Sequence, residues 1–403
     1  MKDKILNLVS NLKPTRLSAT AKYLLKDEAI SGKLIILAVI LAILTANSPI
    51  RDVYESFWGT KLNIGLGSWA LSLDLRHWVN DGLMALFFLV VGLELKREIT
   101  SGDLGKFRTA VLPFMAALGG MIIPALIYLA FNFNSDTSRG WAIPTATDIA
   151  LAIGLLAILG KRIPASVRLF LLTLAIVDDI LAVIIIAVFY STGINSEMLL
   201  LAGGLVLTIL LLTKLRRLNI GVFVIFGLGL WLALNASGVH ASISGAILGL
   251  LAPTIAMKTS RKSISERLER ATIPISTLVV VPLFAFANTG INFNTEIFQS
   301  DSFIKLSAGI FFGLVIGKVA GILLGTWLTI KLGVSSLPEA ANWNHIIGVG
   351  LLAGIGFTVS IFVTELAFQS QELVDISIVS IFAASIVSAC LGLITLRYFN
   401  RAH

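Results

Sequence analysis

Charge is what this sequence has least of. Asp, Glu, Lys and Arg make up 13% of its 403 residues, against about 25% in soluble chains. Water is therefore not its main solvent. Cysteine is nearly absent: Cys390 stands alone, which excludes an intramolecular disulfide framework. No zinc-ligand spacing, Walker loop or Gly-x-Gly-x-x-Gly stretch occurs, so the sequence-readable zinc and nucleotide sites are excluded as well. The formal net charge of +8 does not indicate nucleic acid, because the basic residues sit in short connectors and near the N-terminus rather than on one face. That basic, polar N-terminus carries no cleavable signal, so the first hydrophobic helix is expected to stay as an anchor.

Hydrophobic residues are abundant, at 56%, and they come in unbroken runs such as Leu34 to Ala46 and Ile180 to Val188. A helix needs about 20 mostly apolar residues to cross about 30 Å of hydrocarbon. The chain is predicted to be an all-α polytopic membrane protein. Its twelve predicted spans are 33–48, 78–97, 110–131, 141–160, 168–191, 197–213, 219–236, 239–257, 272–289, 303–331, 343–368 and 372–398. The tenth is longer than one crossing requires and invites a tilt or a break. Lys and Arg concentrate in alternate connectors: in 1–33, then at Lys96, Arg97, Lys106 and Arg108, at Lys161, Arg162 and Arg168, at Lys214, Arg216 and Arg217, and from Lys258 to Arg270. The intervening connectors are nearly free of them, so both termini are expected in the cytoplasm. Residues 1–32 then form a cytoplasmic segment and 33–403 one transporter domain. Residues 61–73 alternate apolar and polar side chains after glycine-rich turns, predicting a small external β-hairpin within 49–77. The other external connectors are too short for a soluble catalytic domain, so no enzyme and no cofactor is expected.

The few charges inside the spans carry the functional argument, since a charge at a span's centre costs about 2.5–3.5 kcal/mol even on insertion scales. Asp178 and Asp179 lie in the fifth span between apolar stretches 171–177 and 180–184. Ten residues of helix put them about 15 Å from the cytoplasmic end, near the midplane. Neighbouring helical residues point about 100° apart, so the two carboxylates cannot share one partner. Two acids this close resist double ionisation, and a cation that binds them must displace protons. Asp148 follows Pro144, Thr145 and Thr147; proline interrupts a helix, and threonine hydroxyls can satisfy the freed backbone groups. Gly348, Gly350, Gly354 and Gly356 loosen the eleventh span before Thr358, although glycine there equally permits close helix packing. Interrupted spans in both halves of a chain point toward a transporter site. Lys318 is the only basic residue deep within a span, too deep to snorkel, and the aspartate pair is its natural partner. Asp81 and Glu94 sit about 20 Å apart on the second span, either as interfacial caps or as two mouths of a polar path. His240 opens the eighth span and reads equally as a structural histidine. Glu365 and His345 lie near span ends, where an interfacial role suffices.

With these residues in view, the chain resembles the NhaA-type sodium/proton antiporters, a group that the inverted-repeat transporters include. The carrying motifs are Asn80 to Phe88 (NDGLMALFF), Val91 to Glu98 (VGLELKRE), Pro144 to Ala150 (PTATDIA), Ala175 to Asp179 (AIVDD), Gly238 to Ala241 (GVHA), Pro282 to Asn288 (PLFAFAN), Gly317-Lys318 and Gly354 to Thr358 (GIGFT). Their order along the whole chain makes the likeness specific. The resemblance implies inverted repeats made of spans three to five and ten to twelve, with the fourth and eleventh spans unwound and crossing at mid-membrane. The ion-binding core would come from 110–191 and 303–398. A homodimer interface would come from 33–97 and 239–289, supported by the hairpin. Asp179 with Asp178 would bind Na⁺ or Li⁺, with Asp148 and Thr147 completing the ion-binding set, and Asp178 would pair with Lys318 in the ion-free state. The expected activity is electrogenic export of one Na⁺ for two inward H⁺ across the bacterial inner membrane, activated at alkaline pH, for sodium and pH homeostasis. Glu94, Glu98 and Glu269 would act at the cytoplasmic entrance, with Asp81 and His240 also assigned to the ion path or the pH response. Family members often carry histidines beside the last of those acids. Here the stretch reads Arg267-Leu268-Glu269-Arg270-Ala271-Thr272-Ile273, with none, which favours proton competition at the aspartates as the source of pH dependence.

Three rivals remain at this stage. An intramembrane aspartyl protease needs aspartates facing each other from separate helices, which adjacent residues cannot provide. A cation channel would not need Lys318 beside its acids. A carrier of another ion on the same scaffold is the alternative that composition does not remove.

Overall fold

The computed structural model describes residues 15–66, 69–102, 105, 107–215, 217–254, 263–292 and 301–398. Its first helix, α1 (Thr15–Ala46), runs without a break past position 33, where the first predicted span starts. A turn of 116° then leads into the short α2 (Arg51–Trp58). This helix is amphipathic: Tyr54 and Trp58 are buried, and the Tyr54 hydroxyl donates to the Phe286 carbonyl at 2.5 Å. Strands β1 (Lys61–Leu66) and β2 (Trp69–Asp74) follow, paired antiparallel from Lys61 opposite Asp74 to Leu66 opposite Trp69.

The long helices come next: α3 (Leu75–Ser101), α4 (Phe107–Asn132), a 3₁₀ segment (Asp136–Thr145) leading to α5 (Ile149–Ile158), then α6 (Ala165–Phe189), α7 (Ser196–Lys214) and α8 (Ile220–Ser237). After them stand α9 (Ile243–Leu251), α10 (Ile264–Asn288), α11 (Ser302–Lys331), α12 (Trp343–Ala353), α13 (Phe357–Ala367) and α14 (Gln371–Tyr398). Among the described residues, nine helices are long and apolar enough to cross a membrane, or up to eleven if each bent pair is one span.

Two differences from the expected spans have physical causes. Where 239–257 was predicted to cross, α9 has nine residues, about 13.5 Å of helix. Gly238 ends α8 with φ 81°, and the backbone turns through His240 and Ala241 before α9 starts. At the other end Pro253 follows closely, and 255–262 lie outside the described residues. The predicted span 303–331 does not break. It continues through one π turn, Gly313–Gly317, into the residues that follow.

The interior is aromatic and aliphatic. Phe88 of α3 and Phe284 of α10 flank Phe362 of α13, with ring centroids 5.5 and 6.1 Å from it. The outer surface is apolar too, with Leu200, Leu207 and Ile225 each more than 60% exposed. A surface of this kind suits hydrocarbon rather than water.

Candidate functional site

Two interrupted helices meet in the middle of the molecule. In the first, Pro144 lacks an N–H and obstructs a continuing α-helix, and the backbone runs as 3₁₀ up to Thr145. The Thr145 hydroxyl turns back to the Ala142 carbonyl at 2.8 Å. Ala146 is extended, and Asp148 caps α5. In the second, α12 stops at Ala353 and α13 resumes at Phe357, bent by 45°. Glycine is required in this gap for space. A Cβ on Gly354 would stand 2.5 Å from the Leu314 carbonyl oxygen and 2.8 Å from the Ser388 hydroxyl.

The gaps are stitched to each other. The Asp148 N–H donates to the Ile355 carbonyl at 2.6 Å, and the Thr147 hydroxyl to the Ala353 carbonyl at 2.8 Å. The Ser360 hydroxyl reaches the Ile143 carbonyl at 2.7 Å. Freed carbonyls of one broken helix thus find donors on the other, as buried backbone must. Asp148 serves both helix starts. Its Oδ1 accepts from the Leu151 N–H of α5 at 3.0 Å. Its Oδ2 accepts from the Thr358 N–H at 3.2 Å and the Thr358 hydroxyl at 2.6 Å, at the start of α13. One carboxylate therefore offsets the partial positive charge of two helix N-termini.

Lys318, fully buried on α11, answers the opposite charge. Its ammonium donates to the Thr145 carbonyl, at the negative end of the 3₁₀ segment, and lies 2.5 Å from Asp178 Oδ2. The same Asp178 oxygen accepts from the Thr147 hydroxyl at 2.6 Å. Asp179 is different. It is 1% exposed, yet no described residue donates to either of its oxygens, nor to Asp178 Oδ1. Asp178 thus holds the ammonium of Lys318, while Asp179 beside it is buried with no such partner among the described residues. A carboxylate so placed must be neutralised by a cation or a proton, because an unpaired buried charge costs several kcal/mol. Its hard oxygen atoms match hard, small cations.

Asp148→Ala is expected to destabilise the protein by about 3 kcal/mol or more, since three buried donors lose their acceptor at about 1 kcal/mol or more each. Asp148→Asn keeps an acceptor oxygen and should recover much of the loss. Thermal unfolding in detergent measures both, and equal midpoints for the alanine variant and the unmodified protein would refute the double-cap reading.

The family model described as Na⁺/H⁺ antiporter 1 matches residues 22–396. The chain belongs to this family. Its relatives include the Na(+)/H(+) antiporter NhaA 2 of Clostridium beijerinckii, 41% identical over 401 residues, covering 99% of this chain and 97% of that one. The Na(+)/H(+) antiporter NhaA of Bartonella henselae is 39% identical, with 97% and 95% covered. That of Shewanella sediminis is 43% identical, with 92% and 93% covered. A member of the Na⁺/H⁺ antiporter 1 family with this many apolar helices is a multi-pass membrane protein, and its apolar exterior faces lipid.

The other candidate residues of this family member make no contact with these breaks among the bonds described. Asp81 falls in a π turn of α3, Trp78–Leu83, where its backbone carbonyl accepts from the Trp231 indole at 3.0 Å. Glu94 is half-buried further along α3 and lies within electrostatic reach of Asp179. Glu98 is buried one turn on. Glu269 pairs with Arg97 at 3.7 Å. His240 Nε2 lies 3.1 Å from the Tyr190 carbonyl oxygen. His345 acts locally, forming a capping box with Asn342 at the start of α12. The structure thus brings Thr147, Asp148, Asp178, Asp179 and Lys318 together and leaves Asp81, Glu98, His240 and Glu269 outside the cluster. Sequence reasoning gave Thr358 no role beyond closing the Gly354 to Thr358 motif, and none to Ser360, one of several polar residues of α13. The carbonyls of Thr145, Ala353 and Ile355 had no signal, because every residue has a carbonyl.

Proposed function

We propose that this protein exports Na⁺ or Li⁺ in exchange for protons moving inward. The observation that carries this reading is Asp179, buried without a protein donor among the described residues, beside an Asp178 already engaged by Lys318. The printed names of the relatives, all Na(+)/H(+) antiporters, support sodium and protons as the exchanged pair.

In this mechanism the ion-free site holds one proton on Asp179 and one on Lys318. An arriving Na⁺ binds the Asp179 carboxylate and draws in Asp178, which leaves Lys318. The lysine, parted from its counter-charge in a dry site, gives up its proton too. Two protons leave as one Na⁺ binds, so each cycle carries one net positive charge inward. Proton competition at these groups gives higher activity at alkaline pH, the condition in which a cell needs to import protons and expel sodium. No covalent step and no cofactor is involved.

The finer architecture belongs to the same proposal. Twelve spans would hold both termini in the cytoplasm of a bacterial inner membrane, in keeping with the Lys and Arg distribution. Spans three to five and ten to twelve would be inverted repeats, with the fourth and eleventh crossing. Two copies would associate through 33–97 and 239–289, with β1 and β2 on the external side. Asp81, Glu94, Glu98, His240 and Glu269 would shape the ion path and its pH response.

Proteoliposomes with an imposed pH gradient test the exchange between about pH 6 and 9, the window in which a coupled acid pair should titrate. Added Na⁺ or Li⁺ is expected to dissipate the gradient and K⁺ to leave it standing, and a voltage-sensitive dye should report the net charge. Dissipation by K⁺ alone would support a carrier of another ion on this scaffold. Silence with all three ions would overturn the reading.

A further inference from the structure

Five glycines recur every fourth residue along α11: Gly309, Gly313, Gly317, Gly321 and Gly325. Each of them is buried, as is the residue that follows it, and Lys318 is one of those followers. An α-helix repeats every 3.6 residues, so a four-residue stripe drifts about 40° per turn and about 160° over four turns. A plain α-helix would carry one end of this stripe out toward lipid. The π turn Gly313–Gly317, closed by the Lys318 N–H on the Gly313 carbonyl, inserts one extra residue and takes back about 100° of that drift.

The stripe is closely packed, and its last three glycines lie against backbone. A Cβ on Gly313 would stand 2.7 Å from the Pro144 ring, in the first interrupted helix. One on Gly317 would stand 2.9 Å from Pro124 Cα of α4. Gly321 and Gly325 meet the carbonyls of Gly119 and Met115 on the same helix. The turn of chain that immediately precedes Lys318 is thereby wedged against α4 and the Pro144 break, while Ile316 in the same turn faces outward at 53% exposure.

We propose that the π turn Gly313–Gly317, seated through Gly313 and Gly317, is the positioning element that aims Lys318 at Asp178 and the Thr145 carbonyl. It rests on the transport role proposed above for Lys318. Gly321 and Gly325 hold the helices together but do not set the direction of the lysine. Asp178 of α6 pairs with that lysine, Asp179 stands beside Asp178, and Asp148 at the break and Glu94 of α3 act on Asp179.

Gly317→Ala is expected to lower sodium-dependent exchange roughly tenfold or more, as small misplacements of a site group do, and to shift its pH profile. Gly325→Ala should lower thermal stability and leave the profile of the surviving protein unchanged. If Gly317→Ala does not fold, Gly313→Ala takes its place: its Cβ would meet the Pro144 ring at 2.7 Å, the other seat of the π turn. A second readout needs no transport. In thermal unfolding, the double variant of Gly317→Ala (or Gly313→Ala) with Asp178→Asn should lose less than the two single losses summed, whereas Gly325→Ala and Asp178→Asn should add. Additivity in the first pair, or an equal shift of profile by Gly325→Ala, would overturn the inference. A wild-type protein without exchange would sink the transport reading, and the unfolding cycle would still decide this one.

Discussion

Asp179→Asn is expected to abolish sodium-dependent proton exchange while leaving the protein folded. Asparagine keeps the size and one acceptor oxygen but cannot carry a negative charge or take up and release a proton. A unit charge pair at 4 Å is worth about 4 kcal/mol at an effective dielectric of 20, so sodium affinity should fall roughly a thousandfold. The fold should tolerate the change because no described residue donates to Asp179, so no protein hydrogen bond is lost, and the amide is as neutral as the protonated acid of the ion-free site. The gradient-dissipation assay and sodium titration by calorimetry check the first part, and thermal unfolding checks the second. Normal exchange by the asparagine variant would defeat the mechanism. Its contrast with Asp148→Ala is informative, since the latter residue holds two helix starts together and should be lost chiefly through stability.

The second large effect is expected from Lys318→Ala. This change removes the ammonium from Asp178 and from the Thr145 carbonyl, and leaves a void in a fully buried position. Breaking a buried pair from one side costs about 3–5 kcal/mol, so the unfolding midpoint should fall clearly. In the proposed cycle the lysine supplies one of two protons. Its loss should therefore change the sodium affinity and shift the pH profile, because Asp178, left without its counter-charge, must take up the second proton itself. A variant with unchanged sodium affinity and pH profile would show that Lys318 is only a structural cation.

Particular residues show how far the sequence reaches. The membrane class follows from composition and run length, because about 20 apolar residues in succession have few homes other than a bilayer. Asp178 and Asp179 announce themselves by the cost of burying charge, and Pro144 and the glycines near 354 announce interruptions by what they do to a helix. Family membership is legible in the order of the motifs. The short α9 is harder to read, because its flanks are as apolar as a true span and only the turn at Gly238 to Ala241 and Pro253 cut it down. The π turn of α11 was signalled by the four-residue glycine repeat, a pattern that periodicity analysis at 3.6 passes over.

What the sequence alone determined is which groups are too costly to bury without a partner, and where the backbone must come undone. Which partners they find was decided only by tertiary structure. Asp148 meets Thr358 across 210 positions of sequence, and Thr147 meets the Ala353 carbonyl across 206. Asp178 meets Lys318 across 140. Burial cost is a property of a single side chain and its neighbours along the helix, so it can be read locally. A hydrogen bond to a distant carbonyl depends on how helices cross, and that is fixed by packing summed over the whole molecule. By burial cost alone Asp178 and Asp179 are an equal pair; the resemblance assigned Lys318 to Asp178, and the fold adds Thr147 to the same oxygen while no described residue donates to Asp179.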